Sequence, residues 1–351
     1  MILDASQYKC PNCGAELVFD PSTQQINCEF CRSEFSVEKI KEMADTETES
    51  PEETARKEEF ESHTNLYQCR SCGAEIMAED DTTATFCYYC HSPVILSGRL
   101  TGDFKPSKII GFHIKREQAV QLFKNWCGNK KFIPSDFKSN QQLEKMTGLY
   151  VPFWVTECDV SADYHALGKH IRSWTSGSYQ YTETKEYSVD RAAEIRTKGI
   201  PADGESKIED ILMESIEPFD YTALKPFDMS YFSGFFADKY DVDRAGVFPR
   251  IRERVTHASR NIINNSVSGY SSVSVLNQSY HINKTKWEYI MLPVWFMTYR
   301  YRDKIYEFAI NGQTGKLAGT PPLDKKKLAL SSVIFGAILA AVTFLGGQFF
   351  I

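Results

Sequence analysis

Apolar and polar positions set the organisation of this 351-residue chain. From about 98 to 323 they carry the mixed periods of an α+β body. A strand is expected at 109–114. A helix follows over 116–126, where Ala119, Val120, Leu122, Phe123 and Trp126 share one face. A second helix is expected over 135–145, with Ser135 as its N-cap. The run at 149–156 opens a β-rich region reaching about 200, with a turn at Gly177 and long strands over 179–197. A helical stretch at 207–215 precedes a Pro- and aromatic-rich segment at 217–228. The stretch 231–236 then leads to a helix over 243–264, in which Pro249 must lie near the first turns or kink it. Two strands are expected over 271–282. An apolar run at 290–298 passes into alternating Tyr299, Tyr301, Ile305, Tyr306 and Phe308, ending in a turn at Asn311-Gly312.

Two of these stretches match. Residues 149–156 and 291–298 each hold a proline, one further residue and a tryptophan (Pro152/Trp154 and Pro293/Trp295), offset by 141 positions. Each follows a helix preceded by a short aromatic strand, Gly111-Phe112 in one case and Gly234-Phe235 in the other. The body is therefore expected to consist of two related α+β halves, unless two buried strands resemble each other by chance.

The C-terminal pattern is different. Residues 328–351 contain no charge. A helix of that length reaches about 36 Å, enough for a bilayer core of about 30 Å. Lys325, Lys326 and Lys327 precede it and no basic residue follows. The expectation is one transmembrane helix within 324–351, with the N-terminal bulk in the cytoplasm. The N-terminus lacks the basic start and apolar run of a signal peptide.

The N-terminal quarter is built on a cysteine pattern that occurs twice. Cys10, Cys13, Cys28 and Cys31 recur as Cys69, Cys72, Cys87 and Cys90, at an offset of 59. Tyr8/Tyr67, Gly14/Gly73, Ala15/Ala74, Glu16/Glu75 and Ser33/Ser92 repeat with them. Two cysteines three apart on a tight turn can direct both thiolates at one ion, and the intervening residues allow a short hairpin. Each copy, 1–35 and 66–97, therefore reads as a small β zinc ribbon holding one structural Zn2+. Four thiolates leave no open position for chemistry, and about 25 residues bury too little apolar surface to fold unaided. Disulfides would need an oxidising compartment. Redox-active pairs or bound iron would also use such cysteines, and ligand type alone does not exclude iron. Between the ribbons, 36–65 is an acidic linker, with ten acidic against four basic residues from Glu38 to Glu61.

Charge and composition narrow the functions. The net charge of -6 gives no overall footprint for nucleic acid. Ten cysteines would suit a secreted scaffold, but eight belong to the ribbons, and Cys127 and Cys158 sit among apolar residues as expected buried thiols. The chain contains no Walker loop, Gly-x-Ser-x-Gly elbow, His-Glu-x-x-His or dinucleotide fingerprint. His165 and His170 have no evident partner, and Asp220 and Asp228 are expected to cap turns. The chain is not expected to be an enzyme. Phe30, Tyr88 and Tyr89 can stack on a base or meet a protein. With little basic charge around them and an acidic tether between the ribbons, protein binding is favoured over nucleic acid.

The paired ribbons, residues 214–220, Tyr231-Phe232-Ser233-Gly234-Phe235, Leu292-Pro293-Val294-Trp295 and 308–316 together resemble a bacterial family of membrane proteins with TFIIB-type zinc ribbons. The resemblance implies association with phage-shock-protein-A-like and flotillin-like membrane-stress proteins. It implies a cytoplasm-facing adaptor that recruits such a protein to the membrane through its ribbons, with the eight cysteines as metal ligands and no catalytic residue. The competing expectation is a nucleic-acid-binding zinc-ribbon regulator tethered to the membrane.

Overall fold

The computed structural model describes residues 9–20, 25–36, 64–79, 87–90, 95–99, 104–232, 235–302 and 304–347, with Lys39, Glu58, Phe60 and Ser92 besides. The expected acidic linker lies almost wholly outside the described residues. Strands β1 (Val18–Asp20), β2 (Gln25–Asn27) and β3 (Glu34–Phe35) form a small antiparallel sheet. Next come β4 (Thr64–Gln68), β5 (Glu75–Glu79), β6 (Ile95–Arg99), β7 (Lys108–Ile109), helix α1 (Arg116–Gly128) and the short α2 (Asn140–Leu143). The long strands β8 (Thr147–Ser176) and β9 (Tyr179–Asp203) follow, then α3 (Asp210–Ser215), β10 (Lys225–Pro226), β11 (Phe236–Asp238) and α4 (Arg244–Ser266). The chain continues through β12 (Ser272–Tyr301), β13 (Lys304–Asn311), β14 (Leu317–Gly319) and α5 (Lys325–Gly347). Strands β4 to β14 belong to one eleven-stranded sheet.

The sequence explains why β8 runs for 30 residues. Its first ten are buried on both faces, as their near-continuous apolar character requires. From Val160 to Ala166 burial alternates, with Val160, Ala162, Tyr164 and Ala166 facing inward. The last seven residues are exposed on both faces. Helix α4 covers the middle section, burying Val247, Phe248, Ile251, Val255 and Ile263 at helical spacing. Each fully buried aliphatic side chain contributes about 1.5–3 kcal/mol. Asp243 caps this helix by accepting the Gly246 N–H at 2.9 Å, and Pro249 is exposed in its second turn.

Several boundaries differ from expectation. The two strands expected over 271–282 are the start of the single strand β12, which pairs with β8 from Ser272 to Phe296 and absorbs its irregularity at 275/277 and 282/284. The helix expected over 135–145 is a 3-10 turn at Asp136–Lys138 followed by α2. Ser139, rather than Ser135, caps α2 by accepting the Gln142 N–H. The second cysteine copy shares the sheet of the body, because β5 pairs with β11, setting Ile76 opposite Asp238 and Met77 opposite Ala237.

The two halves of the body carry the same order of elements. Val151 and Leu292, 141 residues apart, face each other across β8 and β12. Around that point β7 runs parallel to β12 (Ile109 opposite Met291), and β11 runs parallel to β8 (Ala237 opposite Tyr150). The Trp154 indole donates to the Val242 carbonyl at 3.0 Å, and the Trp295 indole donates to Ile114 at 2.8 Å. The Gly204 N–H donates to Pro152 at 2.9 Å, and the Gly312 N–H donates to Pro293 at 2.8 Å. Helices α1 and α4 start 128 residues apart, one residue after the lysine and aspartate at their N-caps. One detail of the sequence match changes. The counterpart of Phe112 is Tyr240, since each ring lies 5.1 Å from the tryptophan of the opposite long strand at a similar tilt. Phe235 instead stacks on Phe112 at 4.2 Å, joining the halves.

Candidate metal centres

Both cysteine groups close into tetrads. In the first, Cys10 and Cys31 Sγ are 3.6 Å apart and Cys13 and Cys28 Sγ 3.4 Å apart. In the second, Cys69 and Cys90 are 3.5 Å apart and Cys72 and Cys87 3.6 Å apart. Within each tetrad all four sulfurs lie within 4.8 Å of one another. A tetrahedron of thiolates around an ion at about 2.3 Å sets sulfurs about 3.8 Å apart, whereas a disulfide needs about 2.05 Å. The tetrads therefore fit a four-coordinate thiolate ion, and each group can hold one metal ion.

The turns that aim these thiolates are matched. The Gly14 N–H returns to Cys10 O at 2.7 Å and the Gly73 N–H to Cys69 O at 2.8 Å, with φ of 76° and 75°. These left-handed positions explain both glycines. In the second turn of the first copy Arg32 takes the same role at φ 62°. Burial pushes the Cys72 thiol up to about 11 and Cys87 higher still. A metal ion entering the site must therefore displace protons.

Both centres are clamped to the body by the residues between their cysteines. In the first, the Asn12 side chain accepts the Thr285 N–H at 3.1 Å and donates to the Asn283 carbonyl at 3.2 Å and to Ser33 Oγ at 2.8 Å. The Asn12 carbonyl accepts the Trp287 indole N–H at 2.9 Å. Asn12 thus pairs with the β12 edge at its 282/284 bulge as a neighbouring strand would. Phe30 packs 6.0 Å from Phe248 of α4, and a Cβ on Gly14 would meet Arg244 Cβ at 2.7 Å.

In the second centre Tyr88 and Tyr89 turn inward. Both hydroxyls donate to the buried Asp238 of β11, Tyr89 at 2.6 Å. Their rings pack on Phe236 and Phe296. Burial pushes the Asp238 carboxyl up to about 7, although the two hydroxyls favour its charged form. Glu205 is buried nearby and pushed up to about 9 by burial and by the charges of Asp238 and Asp241. Sequence reasoning missed Asn12, Asp238 and Glu205. Only the polar residue between Cys10 and Cys13 gave any signal, and nothing in the sequence tied it to β12.

The remaining candidate residues have local roles. His165 Nδ1 lies 2.5 Å from Asp190 in an exposed pair on β8 and β9, and His170 packs edge-on to Tyr187. Asp220 caps a turn through the Thr222 N–H at 3.0 Å and its hydroxyl at 2.6 Å. Cys127 and Cys158 are buried free thiols. Helix α5 is long and apolar enough to cross a membrane over Lys325–Thr343, and none of that stretch is buried.

These features define an α+β protein with two tetracysteine centres braced against one large sheet and a long apolar C-terminal helix. The chain belongs to the family of "Uncharacterized protein YdjG" from Bacillus subtilis (strain 168), to which it is 33% identical over 335 residues, 95% of each chain. No family model matches the chain. No solved structure matches it.

Proposed function

We propose that the protein is a single-pass, membrane-anchored adaptor with its N-terminal bulk in the cytoplasm. Each tetracysteine centre holds one structural Zn2+, and the partners are phage-shock-protein-A-like and flotillin-like proteins. The observation that carries this reading is the separation of two exposed apolar elements. At one end of the sheet α5 is apolar all round and uncovered. At the other, β8 and β9 continue past the start of β12 as a two-stranded arm turning at Gly177. The arm exposes Trp174, Tyr179 and Tyr181, and Trp174 stacks on Tyr181 at 5.7 Å. The 30 residues of β12 would place the arm up to roughly 95 Å from the membrane end if the strand were straight.

The clamped centres change the expected division of labour. Tyr88 and Tyr89 are spent on the protein's own Asp238, so the centres stiffen the body and the arm presents the recruiting surface. The same inward turn counts against base stacking at these turns, where only Phe30 stays exposed.

Co-expression of the detergent-solubilised full chain with the phage-shock-protein-A-like partner tests the reading. The intact chain should retain the partner, and Trp174→Ala with Tyr181→Ala should lose it while keeping its metal. Failure of the intact chain to retain either class of partner would end the adaptor reading.

A further inference from the structure

Three segments far apart in sequence meet where α5 leaves the body. The loop after α1 supplies Lys130, Lys131 and Lys138. The β12–β13 hairpin supplies Arg300, Arg302 and Lys304, and the start of α5 supplies Lys325, Lys326 and Lys327. Their meeting is held by specific contacts. The Asp324 N–H donates to the Phe132 carbonyl at 2.7 Å, and Lys327 Nζ donates to the Ile133 carbonyl at 2.8 Å. Phe137 packs edge-on against Tyr299 at 4.9 Å, fastening the loop to the end of β12.

Charge is concentrated here against the trend of the chain. Residues 130–138, 300–304 and 324–327 hold nine basic and three acidic residues, a net +6 in a chain whose total is -6. Of the acids, Asp324 is engaged in capping α5, accepting the Lys326 N–H at 3.0 Å and the Lys327 N–H at 3.4 Å. Among the described residues none of the nine cations makes a salt bridge, and all but Lys130 are exposed. Aromatic rings stand beside them, with Lys130 Nζ 4.2 Å from the Trp126 ring and the Arg302 guanidinium 5.3 Å from the Tyr301 ring. Arg302 occupies the hairpin turn at φ 57°.

From this geometry we propose that the nine cations form a collar around the root of α5 that binds the anionic headgroups of the adjoining lipid leaflet. The inference rests on the membrane reading of α5 and adds a lipid class and a binding face to it. A cationic cluster at the exit of an apolar helix meets headgroup phosphates at the depth where the helix enters the bilayer. Tyr and Trp rings favour that same depth. The collar would seat the body against the leaflet and hold the long sheet at a defined angle to it. A surface of this kind is attracted to anionic lipid, and the attraction is screened within about 8–10 Å at ordinary salt.

Hydrogen exchange on the full chain in lipid nanodiscs tests this, comparing phosphatidylcholine discs with discs containing phosphatidylglycerol. Amides of 130–138 and 300–302 should exchange about fivefold or more slowly in the anionic discs. The difference should vanish in high salt and in the triple variant Lys131→Glu, Lys138→Glu, Arg302→Glu, whose exposed sites leave folding intact. Insertion into both discs with equal exchange would overturn the collar while leaving the membrane reading in place. Failure to insert into either disc would overturn the membrane reading itself. Equal slowing by duplex DNA added to phosphatidylcholine discs would assign the cations to nucleic acid and overturn the proposal.

Discussion

Asn12 Oδ1 accepts the backbone N–H of Thr285 at 3.1 Å, joining the first cysteine turn to the middle of the longest strand pair, 273 residues away. The contact ties metal coordination to the body, because Asn12 is held in place by Cys10 and Cys13 on either side. Asn12→Ala removes three side-chain hydrogen bonds and leaves the Thr285 N–H without its partner. The expected cost is about 1–3 kcal/mol, read as a lower denaturant midpoint of the zinc-loaded chain. Trp287 should keep its bond to the Asn12 carbonyl, so the variant should still fold. A midpoint equal to that of the wild type would show that the clamp contributes nothing.

Metal content separates the two centres. Full-length protein purified without added metal should carry two zinc ions per chain, and Cys28→Ser or Cys87→Ser should each lower the content to about one. Elemental analysis giving less than one zinc per chain, or iron in its place, would remove the zinc assignment.

Tyr89 and Asp238 form the corresponding clamp of the second centre, at 2.6 Å. Tyr89→Phe keeps the ring packing on Phe296 and removes one of the two hydroxyls on a fully buried carboxyl. A loss of about 1–3 kcal/mol is expected, the range for an unmet buried polar group. Asp238→Ala combined with Tyr89→Phe should cost less than the sum of the two single changes, because they share one interaction. Full additivity in a double-mutant cycle would contradict the coupling.

Glu307 on β13 gives a pH signature. Burial pushes its carboxyl from the usual 4.5 up to about 7. Between those values the folded chain holds a proton that the unfolded chain releases, so this group lowers stability as pH rises from about 4.5 through 7. Glu307→Gln removes that penalty. The variant should match the wild type near pH 4 and exceed it by about 3 kcal/mol at pH 8 in paired urea titrations. A variant that loses ground to the wild type as pH rises would have the wrong sign.

The parts of this fold legible in the sequence are those set by local chemistry. The eight cysteines follow from ligand spacing, α1 and α4 from apolar periodicity, and α5 from an uncharged run. The repeated proline and tryptophan of β8 and β12 pointed to two related halves, and the matched indole bonds of Trp154 and Trp295 show the shared arrangement. The clamps were not legible. Tyr88 and Tyr89 look the same in sequence whether they face a partner or Asp238, which lies about 150 positions away. The continuity of β12 was also hidden. Residues 272–279 are exposed and carry no inward face, and their strand order comes from pairing with β8. Ser135 and Ser139 are equally good caps by type, and only the backbone geometry at Ser139 makes the bond.

The two cysteine centres brace the body through Asn12, Tyr88 and Tyr89. Hydrogen exchange of the zinc-loaded full chain before and after chelation tests this bracing most directly. Chelation should speed exchange at 283–287, where Asn12 meets β12, and at 236–238, where Tyr88 and Tyr89 hold β11. Added zinc should restore the slow rates. Unchanged exchange at both places, with elemental analysis showing the metal removed, would contradict the account.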